Sequence, residues 1–413
     1  MITVKKRNGS VEQFDEKKLY NAVLSCLERT SQADKGYVAQ TATEHVVEAL
    51  QTYKEYESSA IMDMVRDSLM DMKAYDAAQE FILYRNSHKP DIFRKRVEFK
   101  PVEYPQMQEY VDAIRHSYWI HTEFNYSSDV QDMKANMSAS ERQVAERAML
   151  AISQIEVAVK TFWAKIGDKF PKPEVQAVAA TFAESEVRHA DAYSHLLEIM
   201  SLNDQFSQLK NVPAIQRRID YLERAIATPV DDKDYFYNII LFSMLIENVS
   251  LFSQFFILLS MNKHKGYLKG IANAVQSTSL EEDIHAKFGF ELVNIIKSEH
   301  FEWWTPEAIS KIKTLVDDAY KAELEVMEWI FESYSDLDGY ESYIRPVDVS
   351  LFLCDRIART FEAVGIEQDK YKRTNDYEWF DVEITATKEI DFFNKKSSAY
   401  NKRSKSITAE DLF

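Results

Sequence analysis

Glycine and proline are scarce in this chain, 8 and 9 among 413 residues, about 2% each where ordinary usage is roughly 7% and 5%. So few turn formers exclude an architecture of many short strands and point to long helices. Cysteine is nearly absent. Cys26 and Cys354 stand far apart, which excludes a disulfide framework, a C-x-x-C redox pair and a cysteine-rich zinc site and fits thiols in a reducing cytoplasm. Positive charge is in deficit, 50 Lys and Arg against 67 Asp and Glu, for a net charge of -17. That balance opposes nucleic acid as a primary partner. No apolar stretch follows the opening MITVKKRNGS, so no signal peptide is expected.

The most telling deficit is local. From Phe236 to Met261 the only charged side chain is Glu247. The run is long and apolar enough for a membrane span. No flanking Lys/Arg asymmetry or second span accompanies it, and the mean hydropathy of the sequence is -0.38, so no membrane is expected. Two readings remain at this point. Glu247 finds a hydrogen-bonding partner in a helical core, or it holds a metal cation, because a bare buried carboxylate costs several kcal/mol or neutralises itself.

Residues 1–90 read as a separate α+β unit. ITVKK and SVEQF flank Asn8-Gly9, a two-residue hairpin signal. Asp15 can cap a helix from Glu16 to about Arg29, and two or three amphipathic helices follow to Asn86. Lys5, Lys6, Arg7, Lys17 and Lys18 outnumber Glu12, Asp15 and Glu16, which makes either a solvated hairpin or an anion site at a helix N-terminus. Residues 91–105 read as a basic linker. From 106 to 375 one helix follows another, and 376–413 read as a flexible tail whose end, Ile407 to Phe413, sets apolar anchors beside acids.

Glu three residues before His occurs at Glu186/His189 and Glu282/His285. Such residues share a helix face. Phe182, Glu186, His189, Tyr193 and Leu197 form one stripe, with Glu184, Arg188, Asp191 and His195 on the opposite side. Each pair is preceded by a lone carboxylate on an apolar helix, Glu156 for the first and Glu247 for the second. Glu, Glu-x-x-His, Glu, Glu-x-x-His from four helices is the ligand set of ferritin-like dinuclear carboxylate proteins. Four carboxylates and two neutral imidazoles balance two divalent cations, and oxygen-rich donors suit iron or manganese. The expected fold is therefore mainly α, a ferritin-like helical bundle behind a small α+β unit.

On these residues the sequence from about 105 to its end resembles the radical-generating small subunit of class I ribonucleotide reductase. The resemblance implies a radical-bearing tyrosine at Tyr193, electron transfer into the metal site through Trp119, and a relaying tyrosine in the tail at Tyr400. It places Glu281 where the family usually has Asp in a Trp-Asp-His relay. Glu156 stands where the best-known tyrosyl-radical members have Asp, which points to Mn/Mn, with Mn/Fe or Fe/Fe as alternatives. Residues 1–90 resemble an ATP-cone through Val4, Lys6, Arg7, Asn8-Gly9, Glu12, Phe14-Asp15 and Lys18, supported by Phe81 to Arg85. Lys6, Arg7 and Lys18 would then face phosphates, with Glu12 and Asp15 near sugar or base. The implied protein is cytoplasmic. It delivers an oxidising equivalent to a large catalytic subunit docked on its tail, forms a homodimer, and assembles further on dATP, with ATP and dATP as effectors. Alternatives are a di-metal oxidase or oxygenase acting on its own substrate, and a non-catalytic nucleotide-responsive metal binder.

Overall fold

The computed structural model describes residues 2–5, 11–50, 53–87, 90–227, 229–333 and 343–385. Contacts divide the molecule into two compact units, Met1–Pro105 and Gln106–Phe413. The stretch 91–105, expected as a linker, falls within the first unit, and its Ile92 and Tyr104 are buried.

The first unit holds β1 (Thr3–Lys5), β2 (Val11–Gln13) and β3 (Glu55–Glu57) in the order β2-β1-β3. Strand β1 runs antiparallel to β2 and parallel to β3. Lys5 faces Val11, whereas a two-residue turn at Asn8-Gly9 would set Lys5 opposite Glu12, so the register differs by one residue from the expected hairpin. The turn itself lies outside the described residues, with Lys6 and Arg7. Helices α1 (Glu16–Leu27) and α2 (Lys35–Ala49) lie between β2 and β3, and α3 (Ser58–Asp71) and α4 (Tyr75–Ser87) follow β3. Asp15 caps α1 as expected, its Oδ1 accepting from the backbone N–H groups of Lys17 at 2.9 Å and Lys18 at 3.1 Å. Val23, Leu27, Val46, Val65, Leu69 and Phe81 form the core, and Val4 joins it from β1.

The second unit contains α5 (Met107–Ser117), α6 (Ser127–Gln131), α7 (Ala139–Lys169), α8 (Pro173–Ile199), α9 (Asn203–Gln208), α10 (Pro213–Ile226), α11 (Asp232–Leu241), α12 (Leu251–Lys265), α13 (Lys269–Glu299), α14 (Pro306–Ile330) and α15 (Pro346–Val364). Local chemistry sets several starts. A capping box of Ser138 and Glu141 opens α7, Pro173 occupies the first turn of α8, and buried Asp129 accepts from Gly270 and Ile271 at the head of α13. The long helices α7, α8, α12 and α13 form the bundle core.

Helices α11 and α12 are joined by a π-helical segment, Phe242–Ser250, making one apolar run from Asp232 to Lys265. Its most apolar window is fully buried, so the candidate membrane span is a core helix. Helix α13 approaches it closely at Gly289, where an added Cβ would lie 2.0 Å from Ser243 Cβ. Only glycine permits that approach. Residues 376–385, expected to be tail, are packed structure. Tyr377, Phe380 and Ile384 are buried, and Phe380 meets Phe252 and Phe352 at 6.0 and 5.0 Å between ring centres. Polar residues interleaved among them mask their apolar spacing in the sequence. Residues 386–413, including Tyr400 and the Ile407 to Phe413 end, lie outside the described residues.

Candidate metal centre

Helices α7, α8 and α13 and the π segment that leads into α12 each deliver an acid or acid–histidine pair to one place. Glu156 comes from α7, Glu186 and His189 from α8, Glu247 from the π segment, and Glu282 and His285 from α13; none is more than 1% exposed. Their donor atoms form two interlocked groups, Glu156/Glu186/His189/Glu282 and Glu186/Glu247/Glu282/His285, each within 4.8 Å. His189 Nδ1 lies 2.9 Å from Glu282 Oε1 and 3.4 Å from Glu186 Oε2. His285 Nδ1 lies 3.0 Å from Glu186 Oε1, 3.2 Å from Glu282 Oε2 and 3.6 Å from Glu247 Oε2.

Outer partners fix how the imidazoles point. His189 Nε2 donates to Glu281 Oε2 at 2.8 Å. His285 Nε2 donates to Ser185 Oγ at 3.0 Å, whose own hydroxyl donates to the Phe182 carbonyl. With Nε2 carrying the proton, each Nδ1 lone pair faces carboxylate oxygens, and facing acceptors repel unless a cation sits among them. Both oxygens of Glu156 and of Glu186, Glu247 Oε2, Glu282 Oε1 and His189 Nδ1 are buried without a hydrogen-bond partner among the described residues. So many orphaned acceptors in one spot are untenable in a core. They match the donor set of two oxygen-loving divalent cations, so the residues fit a dinuclear metal centre. Without metal, protons must take that place. Burial pushes Glu156 and Glu247 well above the usual carboxylate range, reinforced by neighbouring acids. Burial opposes charge on His189 and His285, but the surrounding carboxylates outweigh it and raise both.

Beyond the ligands, Glu281 is a hub. It accepts from His189, from Arg188 Nη2 at 3.1 Å and Nη1 at 3.2 Å, and from Ser117 Oγ at 3.0 Å. Burial works against its charge, yet these donors hold it below the ordinary carboxylate range. Arg188, expected on the solvent side of α8, is 6% exposed and also donates to the Trp119 carbonyl at 3.0 Å. Charged Glu281 draws it inward. The Trp119 ring stacks on His189, 5.9 Å between centres and 19° between planes, while its indole N–H has no partner among the described residues. Trp119 therefore reaches Glu281 through the imidazole face and Arg188. Tyr193 is buried beside Glu156, with the Thr278 side chain near enough to act on its hydroxyl. Burial, then the Glu156 charge, push its phenol up, so it stays protonated. Sequence reasoning missed Trp163, whose Nε1 donates to Glu247 Oε1 at 3.0 Å. Its place seven residues after Glu156 on an apolar helix reads as core filling.

In the first unit, Glu12 to Lys18 line an open cavity of about 560 Å³ at the head of α1. Lys18 Nζ lies 3.7 Å from Glu12, and Lys5 pairs with Glu57 at 3.0 Å. Asp15 Oδ1 is engaged in capping α1.

Fold and site together define a ferritin-like bundle with a carboxylate–histidine centre of the dinuclear type. The comparisons name its family. Residues 96–358 match the family described as "Ribonucleotide reductase, small chain", and residues 2–90 match the ATP cone domain. The protein belongs to the ribonucleotide reductase small-chain family and carries an ATP-cone at its N-terminus. The ribonucleoside-diphosphate reductase subunit beta of Chlamydia pneumoniae is 24% identical over 299 residues, which cover 68% of this sequence and 83% of its own. The small chain of Nicotiana tabacum is 22% identical over 316 residues, which cover 74% and 88% in the same order. Among solved structures, the R2 subunit from Clostridium botulinum aligns with a TM-score of 0.62 at 12% identity, covering 70% of this protein and 91% of that one. Dimanganese(II) NrdF of Streptococcus sanguinis aligns with 0.58 at 14%, covering 68% and 95%.

Proposed function

We propose that this protein is the radical-generating small subunit of a class I ribonucleotide reductase, oxidising a dinuclear centre and passing a one-electron equivalent to a large subunit that reduces ribonucleoside diphosphates. The observation that carries this reading is the pair of interlocked groups of buried, orphaned carboxylates with both imidazoles aimed into them. Glu156 and His189 would hold one metal, Glu247 and His285 the other, with Glu186 and Glu282 serving both. When bound, the redox-active pair supplies the oxidising equivalent, generated with O2 or a reduced oxygen species; Mn/Mn is favoured, with Mn/Fe or Fe/Fe as alternatives. Glu281, held ionised by Arg188, keeps the His189 proton on Nε2 and Nδ1 free. Trp119, stacked on His189, lies where an electron can pass toward the metals. Neutral Tyr193 presents an O–H bond beside Glu156 as a hydrogen source. Electron paramagnetic resonance on protein activated separately with iron and manganese tests this. Absence of a stable one-electron-oxidised signal with iron, with manganese and with the two metals together would refute it.

The cone adds control, with ATP and dATP as effectors and dATP driving the homodimer into larger, inactive assemblies. Linkage then requires dATP to bind the assemblies with different affinity. Deleting residues 1–90 is expected to leave metal loading intact and abolish dATP inhibition, measured with a large subunit that has no cone; persistent inhibition refutes the assignment. The tail is proposed to dock on the large subunit through Leu412 and Phe413, with Tyr400 carrying the radical across. Removing Leu412 and Phe413 should weaken that binding with the metal centre unchanged. Tyr400→Phe should preserve binding and abolish nucleotide reduction, and a wild-type rate removes Tyr400 from the path. A di-metal oxidase with its own substrate remains the second reading, favoured by the likeness to R2-like ligand-binding oxidases at a TM-score of 0.55. The cone, which such an oxidase has no evident use for, favours the first.

A further inference from the structure

Arg356, from α15, is 3% exposed and directed at one residue of the π segment. Its Nε donates to the Asn248 backbone carbonyl at 2.9 Å and its Nη2 to Asn248 Oδ1. Asn248 Nδ2 in turn donates to Thr360 Oγ1, one turn further along α15. Asn248 directly follows Glu247. A π register is uncommon and tends to occur at functional sites, so a side chain that clamps it governs where Glu247 points. The other side of the guanidinium faces the last described helix, 378–385. Asp381 Oδ1 is 3.8 Å from Arg356 Nη1, and Asp381 Oδ2 accepts from Arg359. Two residues on, Glu383 accepts from Gln276 of α13 at 3.0 Å, so the helix contacts α13, which carries Glu282 and His285, directly and reaches the π segment that carries Glu247 through Arg356. Burial lowers the Arg356 pKa to about 10, against the pull of Asp283, Asp381 and Asp355, and it remains a cation at neutral pH.

We infer that Arg356 is a positioning residue: it holds the π register that presents Glu247, and ties that register to helix 378–385. The inference rests on the dinuclear reading of the site. It concerns geometry upstream of the ligands, and a general packing role would give a different result.

The test is a Mn(II) titration of the full-length protein followed by electron paramagnetic resonance, with thermal melts alongside. Wild type is expected to bind two ions; fewer removes the metal reading and this inference with it. Arg356→Lys keeps a cation but loses the directed pair of bonds. It is expected to weaken one of the two positions about tenfold, within what outer-layer partners contribute, and to alter the bound-Mn(II) spectrum. Leu353→Ala, from a fully buried position on the same helix, should lower the melting temperature and leave both affinities unchanged. If Arg356→Lys keeps both affinities, or weakens both positions equally, Arg356 only packs. If Arg356→Lys does not fold, Asp381→Asn decides, since that side chain is 34% exposed. It should weaken the same position about threefold, the scale of a part-exposed ion pair, with little change in melting. Unchanged affinity overturns the tie to helix 378–385.

Discussion

Glu282→Ala is expected to strip the centre of both metals, and Glu186→Ala likewise, whereas Glu156→Ala and Glu247→Ala should each leave one ion bound. The asymmetry follows from membership: Glu186 and Glu282 belong to both donor groups, Glu156 and Glu247 to one each. Removing a shared carboxylate takes an oxygen from both positions and unbalances the four negative charges that two divalent cations neutralise. Partners outside the ligand set already govern about 10- to 100-fold in affinity, so loss of a shared ligand should exceed that. Metal per polypeptide, measured by elemental analysis following dialysis, reads the difference directly; two ions in Glu282→Ala overturn the assignment. Loading also has a proton signature. Glu156 and Glu247 are raised by burial, so they hold protons when metal is absent, and uptake expels them. Apparent affinity should therefore rise with pH, and uptake in weak buffer should acidify the solution.

Much of this centre was legible in the sequence because its chemistry imposes spacing. Two side chains on one helix that share a metal must be three or four residues apart, and Glu186/His189 and Glu282/His285 obey that. A lone acid in the apolar run around Glu247 has few physical explanations. Of the outer layer, Glu281 and Trp119 were reachable only through the family resemblance, and Arg188 was not legible at all. Arg188 lies between Glu186 and His189, where helical phase predicts solvent, and only Glu281 arriving from α13 makes its burial favourable. The π segment has no composition of its own. Its register depends on Gly289 allowing α13 close and on Arg356 reaching across from α15, contacts separated by tens of residues in sequence. Strand β3, Glu55–Glu57, escaped notice for a different reason: three residues with one buried side chain, Tyr56, carry too little alternation to register. Residues 376–385 read as tail because Tyr377, Phe380 and Ile384 are interleaved with acids, yet those three positions repeat at helical spacing and are buried, Tyr377 and Phe380 against α12 and α15.

Glu323→Ala should destabilise the second unit by about 3–5 kcal/mol, the scale for removing one partner of a buried ion pair. Arg218 and Glu323 are 0% and 1% exposed, joined by two parallel bonds of 3.1 and 2.8 Å, with Arg218 Nη1 also donating to the Ala151 carbonyl of α7 at 2.9 Å. The Tyr221 hydroxyl donates to Glu323 at 2.6 Å and accepts from Ser250, the last residue of the π segment. Cutting Glu323 leaves a guanidinium and a phenol stranded together in the core. The loss is large beside the roughly 5–15 kcal/mol that holds a typical domain folded. Removing the cation as well changes the outcome. Arg218→Met combined with Glu323→Leu leaves no bare charge and should recover much of the stability, because buried pairs are commonly replaceable by apolar groups of similar size. Tyr221→Phe, which removes one donor and leaves the pair intact, should cost only about 1 kcal/mol. Denaturant unfolding of the three variants, followed by a probe in the second unit, orders them. If Glu323→Ala unfolds within about 1 kcal/mol of wild type, less than a single stranded partner should cost, the pair does not hold the end of the π segment and the Glu247 backbone must rest on Arg356 and Gly289 alone.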